Sequence, residues 1–349
     1  MTETGLRLRR SHVRLRTRPR RARGPSLEMD AVIHLKPDLQ LTVATAQAIV
    51  DQAVPGRAVA TILRLHGGEI AAVYEIAFVD PAHAPLILKV YPDELHWKMQ
   101  KEVTVLGLIK DRLSVSVPRI LLADDSKRLL GLNLTLMTKL EGAVLGRLET
   151  TLTTPQRLSA YAQIGGLLRE FHGFPMEASG YIGAKSVVMA HATNHEYLTH
   201  QFQRKLKEFT ERGGDAGLAE RVAGYAAGRA ELLGACTQAV LCHNDLHAGN
   251  LLATTSNGGL RLTGVLDFEG ALAGDPLMDV AKALYYLDAE SRHAVLEGYG
   301  AIDRQRWPET LALYHLYFVL ELWCWMAQIG NRTPLEGLAA DLERYSASW

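Results

Sequence analysis

The stretch His243-Asn244-Asp245-Leu246-His247-Ala248-Gly249-Asn250, followed by Val265-Leu266-Asp267-Phe268-Glu269, decides the reading of this chain. It has the form H-x-D-x-x-x-x-N, then an apolar strand ending in D-F-E. Asp245 and Asn250 are five positions apart, so one loop can present both side chains to one cleft. Asp267 follows seventeen positions later, enough for a β-hairpin. Its turn would be Thr254-Thr255-Ser256-Asn257-Gly258-Gly259, residue types that hairpin loops favour. Phosphoryl transfer from a nucleotide to a hydroxyl needs one carboxylate near the attacking hydroxyl and two oxygen ligands for Mg²⁺ between the phosphates. Asp245 can supply the first, and Asn250 and Asp267 the second.

At these residues the chain resembles the aminoglycoside phosphotransferase and choline kinase superfamily. That family's catalytic loop reads H-x-D-x-x-x-x-N, and its metal aspartate lies in D-[FW]-[EGS]. Gly274-Asp275-Pro276-x-x-Asp279 is similar to the family as well, and the resemblance spans roughly residues 55–330. It implies an α+β, bilobal, protein-kinase-like fold, with a small β-rich N-lobe over residues 30–138 and a larger helical C-lobe over 139–349. It also implies Mg²⁺ and ATP, or GTP, as phosphoryl donor. A different reading takes His243, Asp245 and His247 as a transition-metal site, but no second His/Cys cluster has suitable spacing.

The residues ahead of the loop support a β-rich lobe. Val59 to Leu65 and Ala71 to Val79 flank a turn containing Gly67 and Gly68, which either lies over phosphates or is a plain hairpin turn. A third run, Pro85 to Tyr91, places Lys89 among apolar neighbours, where a charge is costly unless paired. A polyphosphate and an acidic partner would pair it. Glu102 lies thirteen positions later, on a segment where Val103, Leu106 and Ile109 have helical spacing. Glu94 is also near. Arg119 to Ala123 and Leu129 to Met137 complete five strands. The resemblance makes Lys89 and Glu102 the phosphate-binding pair. It also makes Met137 to Gly142 the hinge, where backbone at Met137 and Lys139 would meet the adenine.

Beyond the hinge the pattern turns helical. Thr154-Pro155 is expected as the N-cap and N1 pair of a helix, and Gly173 and Pro175 as stops. His172 is expected as a core histidine behind the catalytic loop, and His243 as a residue that shapes it. Asp275-Pro276 caps a further helix, whose Asp279 either braces the loop or faces solvent. The apolar stretch Leu316 to Ala327 contains Glu321, is too short to span a bilayer, and reads as a core helix.

Composition bounds the rest. At 349 residues, 48% hydrophobic and 22% charged, the chain fits a soluble globular protein of one large domain or two lobes. Three scattered cysteines exclude a disulfide framework and suit a reducing cytoplasm. Residues 1–28 hold nine arginines and two acids, so the zero net charge leaves 29 basic against 36 acidic residues, or −7, on the body. Residues 1–29 are expected to be a disordered Arg-rich extension. It is read as an upstream extension without function, translation starting at Met29, with a nucleic-acid arm or a targeting peptide as the alternatives. No membrane partner is expected, and the chain could be a monomer or a dimer.

An acidic body points to a polycationic acceptor, hence an aminoglycoside and antibiotic resistance, with Glu269, Asp275 and Glu321 as candidate contacts. The alternative is a choline- or ethanolamine-type kinase. Cys242-His243-Asn244-Asp245 resembles the C-H-N-D of choline kinases. Tyr314, Tyr317, Phe318, Trp323 and Trp325 could cage an ammonium or simply pack a core. A nucleotide-binding pseudokinase is disfavoured because Lys89, Asp245, Asn250 and Asp267 are all present.

Overall fold

Two hydrophobic cores organise the described residues, one beneath a β-sheet and one among helices. The structure, a computed structural model, describes residues 35–65, 70–256 and 258–347. The expected extension over residues 1–29 and the turn glycines Gly67 and Gly68 lie outside them.

The first core opens with a helix that the sequence reading did not anticipate, α1 (Val43–Ala53). Thr42 caps it, accepting the Thr45 N–H, and Ala46, Ile49 and Val50 form the buried stripe that docks on the sheet. The sheet strands are β1 (Val59–Leu65), β2 (Ala72–Phe78), β3 (Leu86–Tyr91), β4 (Ile120–Asp124) and β5 (Asn133–Thr138), antiparallel in the order β1-β2-β3-β5-β4. β3 is central, which explains the apolar neighbours of Lys89. Side chains two apart share a strand face, so Lys89 and Tyr91 look the same way. Between β3 and β4 runs α2 (His96–Ile109). Its Met99 packs with Tyr91 and Ala71, while Val105, Leu106 and Ile109 belong to the helical core. One helix is therefore anchored in both parts.

The second part begins with β6 (Ala143–Val144), α3 (Leu145–Leu148) and α4 (Thr154–Phe171). Thr153 and Gln156 form a reciprocal capping box at the start of α4. Then follow β7 (Ser179–Ile182), β8 (Val187–His191), α5 (Asn194–Glu211), α6 (Ala216–Ala227), α7 (Ala230–Gly234) and β9 (Val240–Cys242). The hairpin β10 (Leu251–Ser256) and β11 (Gly259–Val265) pairs with β6, and β12 (Leu272–Gly274) joins β8, β7 and β9 in a four-stranded sheet. The chain closes with α8 (Pro276–Leu284), α9 (Ala289–Tyr299), α10 (Trp307–Gln328) and α11 (Leu335–Ala347). The class is α+β, with strands concentrated at the start and helices dominating the remainder.

Two close contacts shape this helical part. α4 and α9 approach backbone to backbone, since a Cβ on Gly298 would stand 1.8 Å from the Ala162 carbonyl oxygen and one on Gly165 2.0 Å from that of Val295. α10 is longer than the apolar stretch alone suggested. By length and composition it could cross a bilayer, but 67% of its apolar window is buried inside the protein. Tyr314, Tyr317 and Trp323 are buried in the core, so the proposed ammonium cage does not form from them.

Candidate active site

The catalytic-loop segment leaves β9 at His243, and a buried carboxylate holds it there. Asp279, on α8, accepts the backbone N–H of His243 and of Asn244, each at 2.8 Å, and faces His172 Nε2 at 3.3 Å. Asp279 has no exposed surface, so it braces the loop rather than facing solvent. Burial pushes its carboxyl up, but His172 and the Asn244 amide outweigh this and hold it below the ordinary range. Asn244 adopts a left-handed φ of 59° and donates its side-chain N–H to the Gly270 carbonyl. His172 also meets the Tyr299 hydroxyl. His243 is fully buried, packs on Phe171 and Phe268, and places Nε2 3.1 Å from the Leu266 carbonyl. Burial depresses its pKa, so the ring is neutral with its proton assigned to Nε2. That inward orientation removes it from any metal site with Asp245 and His247.

The loop leaves Asp245 half-exposed. Asn250 donates its amide N–H to the Asp245 carbonyl at 2.9 Å and to Oδ2 at 3.2 Å. The hairpin then returns the chain to the same place. Leu251 pairs with Val265, and the Leu266 N–H donates to the Asn250 carbonyl at 2.8 Å. Antiparallel pairing thus carries Asp267 back beside Asn250. Asp267 has a left-handed φ of 64°, unusual for a non-glycine residue and a conformation that concentrates at functional sites.

Across from this hairpin stands Lys89. Its ammonium lies 2.7 Å from Glu269, 2.9 Å from Glu102 and 3.5 Å from Asp267. Tyr91 donates its hydroxyl to Glu102, and the Phe268 N–H donates to the same carboxylate at 3.4 Å. Burial opposes a charged Lys89, yet Glu102 and Glu269 raise its pKa well above the usual value. Burial also pushes Asp267 up, but Lys89, His243 and Lys98 prevail and hold it low. For Glu269 burial wins over Lys89, helped by Asp267 and Glu102, and its pKa rises to about 7.

Three carboxylates around one ammonium leave an excess of negative charge, which suits a divalent cation. Asp267 Oδ1 is buried and accepts no hydrogen bond, and Asn250 spends its N–H on Asp245, which leaves its amide oxygen free of hydrogen bonds among the described residues. These two oxygens fit the expected ligands.

The expected acceptor contacts are placed differently. Asp275 is fully buried. It caps α8 through the Leu277 N–H, accepts from Tyr314 at 2.6 Å and pairs with Arg304 at 2.6 Å, so it cannot touch a substrate. Glu269 turns inward to Lys89. Glu321 keeps 28% of its side chain exposed but is paired with Lys282 at 3.5 Å. Met137 lies buried on β5, and Lys139, just past it, pairs with Glu75. A hollow beside Asp245 is lined instead by His247, Lys282, Tyr286, Phe318, Tyr161 and Ile164. Sequence reasoning missed Lys98, which lies four positions before Glu102 and hence on the same helix face, a signal that was available.

A family model described as the phosphotransferase enzyme family matches residues 61–313. No curated protein matches the chain in sequence. Among solved structures, the chain is similar to aminoglycoside phosphotransferase APH(4)-Ia in ternary complex with ADP and hygromycin B, with a TM-score of 0.66 at 17% identity over 86% of this chain and 97% of that one. It is also similar to the gentamicin complex of APH(2")-IIa, with a TM-score of 0.65 at 16% identity over 88% and 97%. A third likeness is to a GDP and kanamycin complex of an APH(2") enzyme, with a TM-score of 0.64 at 16% identity over 86% and 98%. At such identities the likeness is one of fold, and the fold is the bilobal, protein-kinase-like one.

Proposed function

The chain belongs to the phosphotransferase enzyme family, and from that premise we propose that it transfers the γ-phosphoryl group of a nucleoside triphosphate to a hydroxyl of a small molecule. The observation that carries this reading is the convergence of Lys89, Asp267, and the loop pair Asp245 and Asn250 from three separate segments on one cleft. Asp245 orients the acceptor hydroxyl and takes its proton, and its half-exposed carboxylate is accessible for this. Lys89, held by Glu102, binds the donor phosphates. Asn250 and Asp267 would hold Mg²⁺, which neutralises phosphate charge when bound. The backbone at Met137 and Lys139 is the candidate adenine or guanine contact. ATP and GTP are both candidate donors, since the similar enzymes were seen with ADP and with GDP. The three free, buried cysteines suit the reducing, nucleotide-rich cytoplasm proposed for the reaction.

The names and ligands of the similar enzymes put aminoglycosides among the acceptors to try, and choline or ethanolamine is the alternative from the same superfamily. The carboxylates expected to hold a polycation are, however, engaged inside the protein, and the charge of the acceptor wall favours another class. The test of the reaction itself is ADP or GDP release with Mg²⁺ and a panel of hydroxyl acceptors. Asp245→Asn is expected to reduce turnover by about 10²–10⁴-fold while leaving nucleotide binding intact. Turnover of that variant within about tenfold of the parent would exclude Asp245 as the base.

A further inference from the structure

The face of α2 that carries Glu102 continues into a cationic wall. Trp97 and Lys101, and Lys98 and Glu102, are each four positions apart on this helix, so they stack along it. Glu102 is spent on Lys89. Lys101 is only 2% exposed, and among the described residues it has no carboxylate within 4 Å. Its ammonium lies 5.0 Å from the Trp97 ring centre and 5.6 Å from that of Tyr181. Burial, with the nearby Lys98, pulls its pKa down to about 7. Lys98 is partly exposed between Trp97 and Trp325 and also lacks a carboxylate at ion-pair distance among the described residues.

Residues of other elements add to the same charge. Arg204 of α5 spends its guanidinium on Gln201 and on the Tyr181 hydroxyl, at 2.7 and 2.9 Å, not on an acid. Lys282 of α8 lies over Phe318 and borders the hollow beside Asp245. The acidic groups that act on this wall are Glu269, Asp267 and Asp245 at Lys98 and Glu321 and Glu269 at Lys101; Glu269 is already paired with Lys89 and Glu321 with Lys282, and among the described residues none stands within 4 Å of Lys98 or Lys101. A buried ammonium without a counter-charge is costly, and retaining one beside two further cations makes sense where an anion is to be received. A polycation would meet like charge here and be rejected.

Resting on the phosphotransferase reading, we propose that the acceptor carries an anionic group, a carboxylate or a phosphate, held by Lys98, Lys101 and Lys282 while its hydroxyl lies against Asp245. The acceptor class is then a hydroxy acid or a sugar phosphate rather than a polyamine.

The experiment is a calorimetric titration of the full chain, saturated with Mg²⁺ and AMP-PNP, with gluconate, glucose 6-phosphate and kanamycin, alongside ADP release with each. At least one anion is expected to bind and kanamycin not to. Lys101→Met, which keeps the apolar stem, is expected to weaken anion binding at least tenfold with AMP-PNP affinity unchanged, and Lys101→Arg to restore part of it. Binding of gluconate alone assigns a carboxylate, and of glucose 6-phosphate alone a phosphate. The proposal is overturned if kanamycin binds and the anions do not, if nothing binds, or if anion affinity is the same in Lys101→Met and Lys98→Met as in the parent. It is equally overturned if those substitutions weaken only AMP-PNP. Binding does not require turnover, so an anion held through Lys101 without ADP release from any acceptor would leave the anion site standing and count against the phosphotransferase reading, and with it the role of that anion as acceptor.

Discussion

The carboxylate of Asp279 accepts the main-chain N–H of Asn244 at 2.8 Å, across 35 positions of chain. Asn244 sits at a left-handed φ of 59°, which asparagine tolerates better than most residues, and a fully buried charge on α8 holds its N–H there, one of the contacts that set the geometry of the loop carrying Asp245.

Removing that carboxylate should therefore cost both stability and activity. Hydrogen bonds to a buried charged acceptor contribute about 1.5–3 kcal/mol each, so Asp279→Ala is expected to destabilise the protein by about 3–5 kcal/mol. Asp279→Asn keeps the shape and can accept only one of the two amides, so its loss should be smaller. Urea unfolding and turnover measure the two effects. If Asp279→Ala stays within about 1 kcal/mol of the parent, the bracing role is wrong.

Asp267 invites a test of the metal assignment. Its Oδ1 is buried, accepts no hydrogen bond and lies 3.5 Å from the Lys89 ammonium, a donor set that fits a divalent cation. In Asp267→Asn, the Mg²⁺ concentration for half-maximal rate should rise about tenfold or more, and turnover should fall on the order of 10²-fold. A Mg²⁺ dependence identical to that of the parent would transfer the role to another carboxylate, with Glu269 the nearest candidate.

The α4–α9 contact makes a sharp prediction about glycine. In Gly298→Ala the new methyl would lie 1.8 Å from the Ala162 carbonyl oxygen, so the helices must part. A loss of about 2–3 kcal/mol is expected. Gly166→Ala, where the nearest atom would stand 3.9 Å away, should instead be neutral or stabilising by about 0.5–1 kcal/mol, because alanine is the better helix former. Thermal melts should fall for Gly298→Ala and stay level or rise for Gly166→Ala, and a comparable fall in both would contradict the packing described.

His315 should give the protein an acid-sensitive component. It is 8% exposed, places Nε2 2.8 Å from the Ala281 carbonyl, and burial pushes its pKa down to about 4. The unfolded chain protonates it near pH 6.5, at about the usual histidine value. Its folded pKa is the lower one, so its contribution is fully present above about pH 6.5 and is lost as pH falls toward 4, by about 3 kcal/mol in total. Unfolding midpoints of the parent should drop more steeply across that window than those of His315→Gln. Parallel pH profiles would show that His315 titrates normally in the folded state.

What the sequence by itself determined is local. The five-residue spacing of Asp245 and Asn250, the turn residues between β10 and β11, and the helix starts at Thr154 and Asp275 follow from rules that act over a few residues, and the strands near Lys89 follow from apolar runs. α1 is equally legible from Thr42 and the Ala46, Ile49, Val50 stripe. Tertiary structure alone decided which charges are free. Asp275 looked available until Arg304 and Tyr314 closed on it, Glu269 until Lys89 faced it, and Glu321 until Lys282 reached it from α8. The same folding leaves Lys98 and Lys101 with no carboxylate within 4 Å among the described residues, although the body as a whole is acidic. Net charge sums over the whole surface, whereas a binding site is set by the few groups that remain uncompensated within a Debye length of it, and those depend on partners brought together from distant parts of the chain.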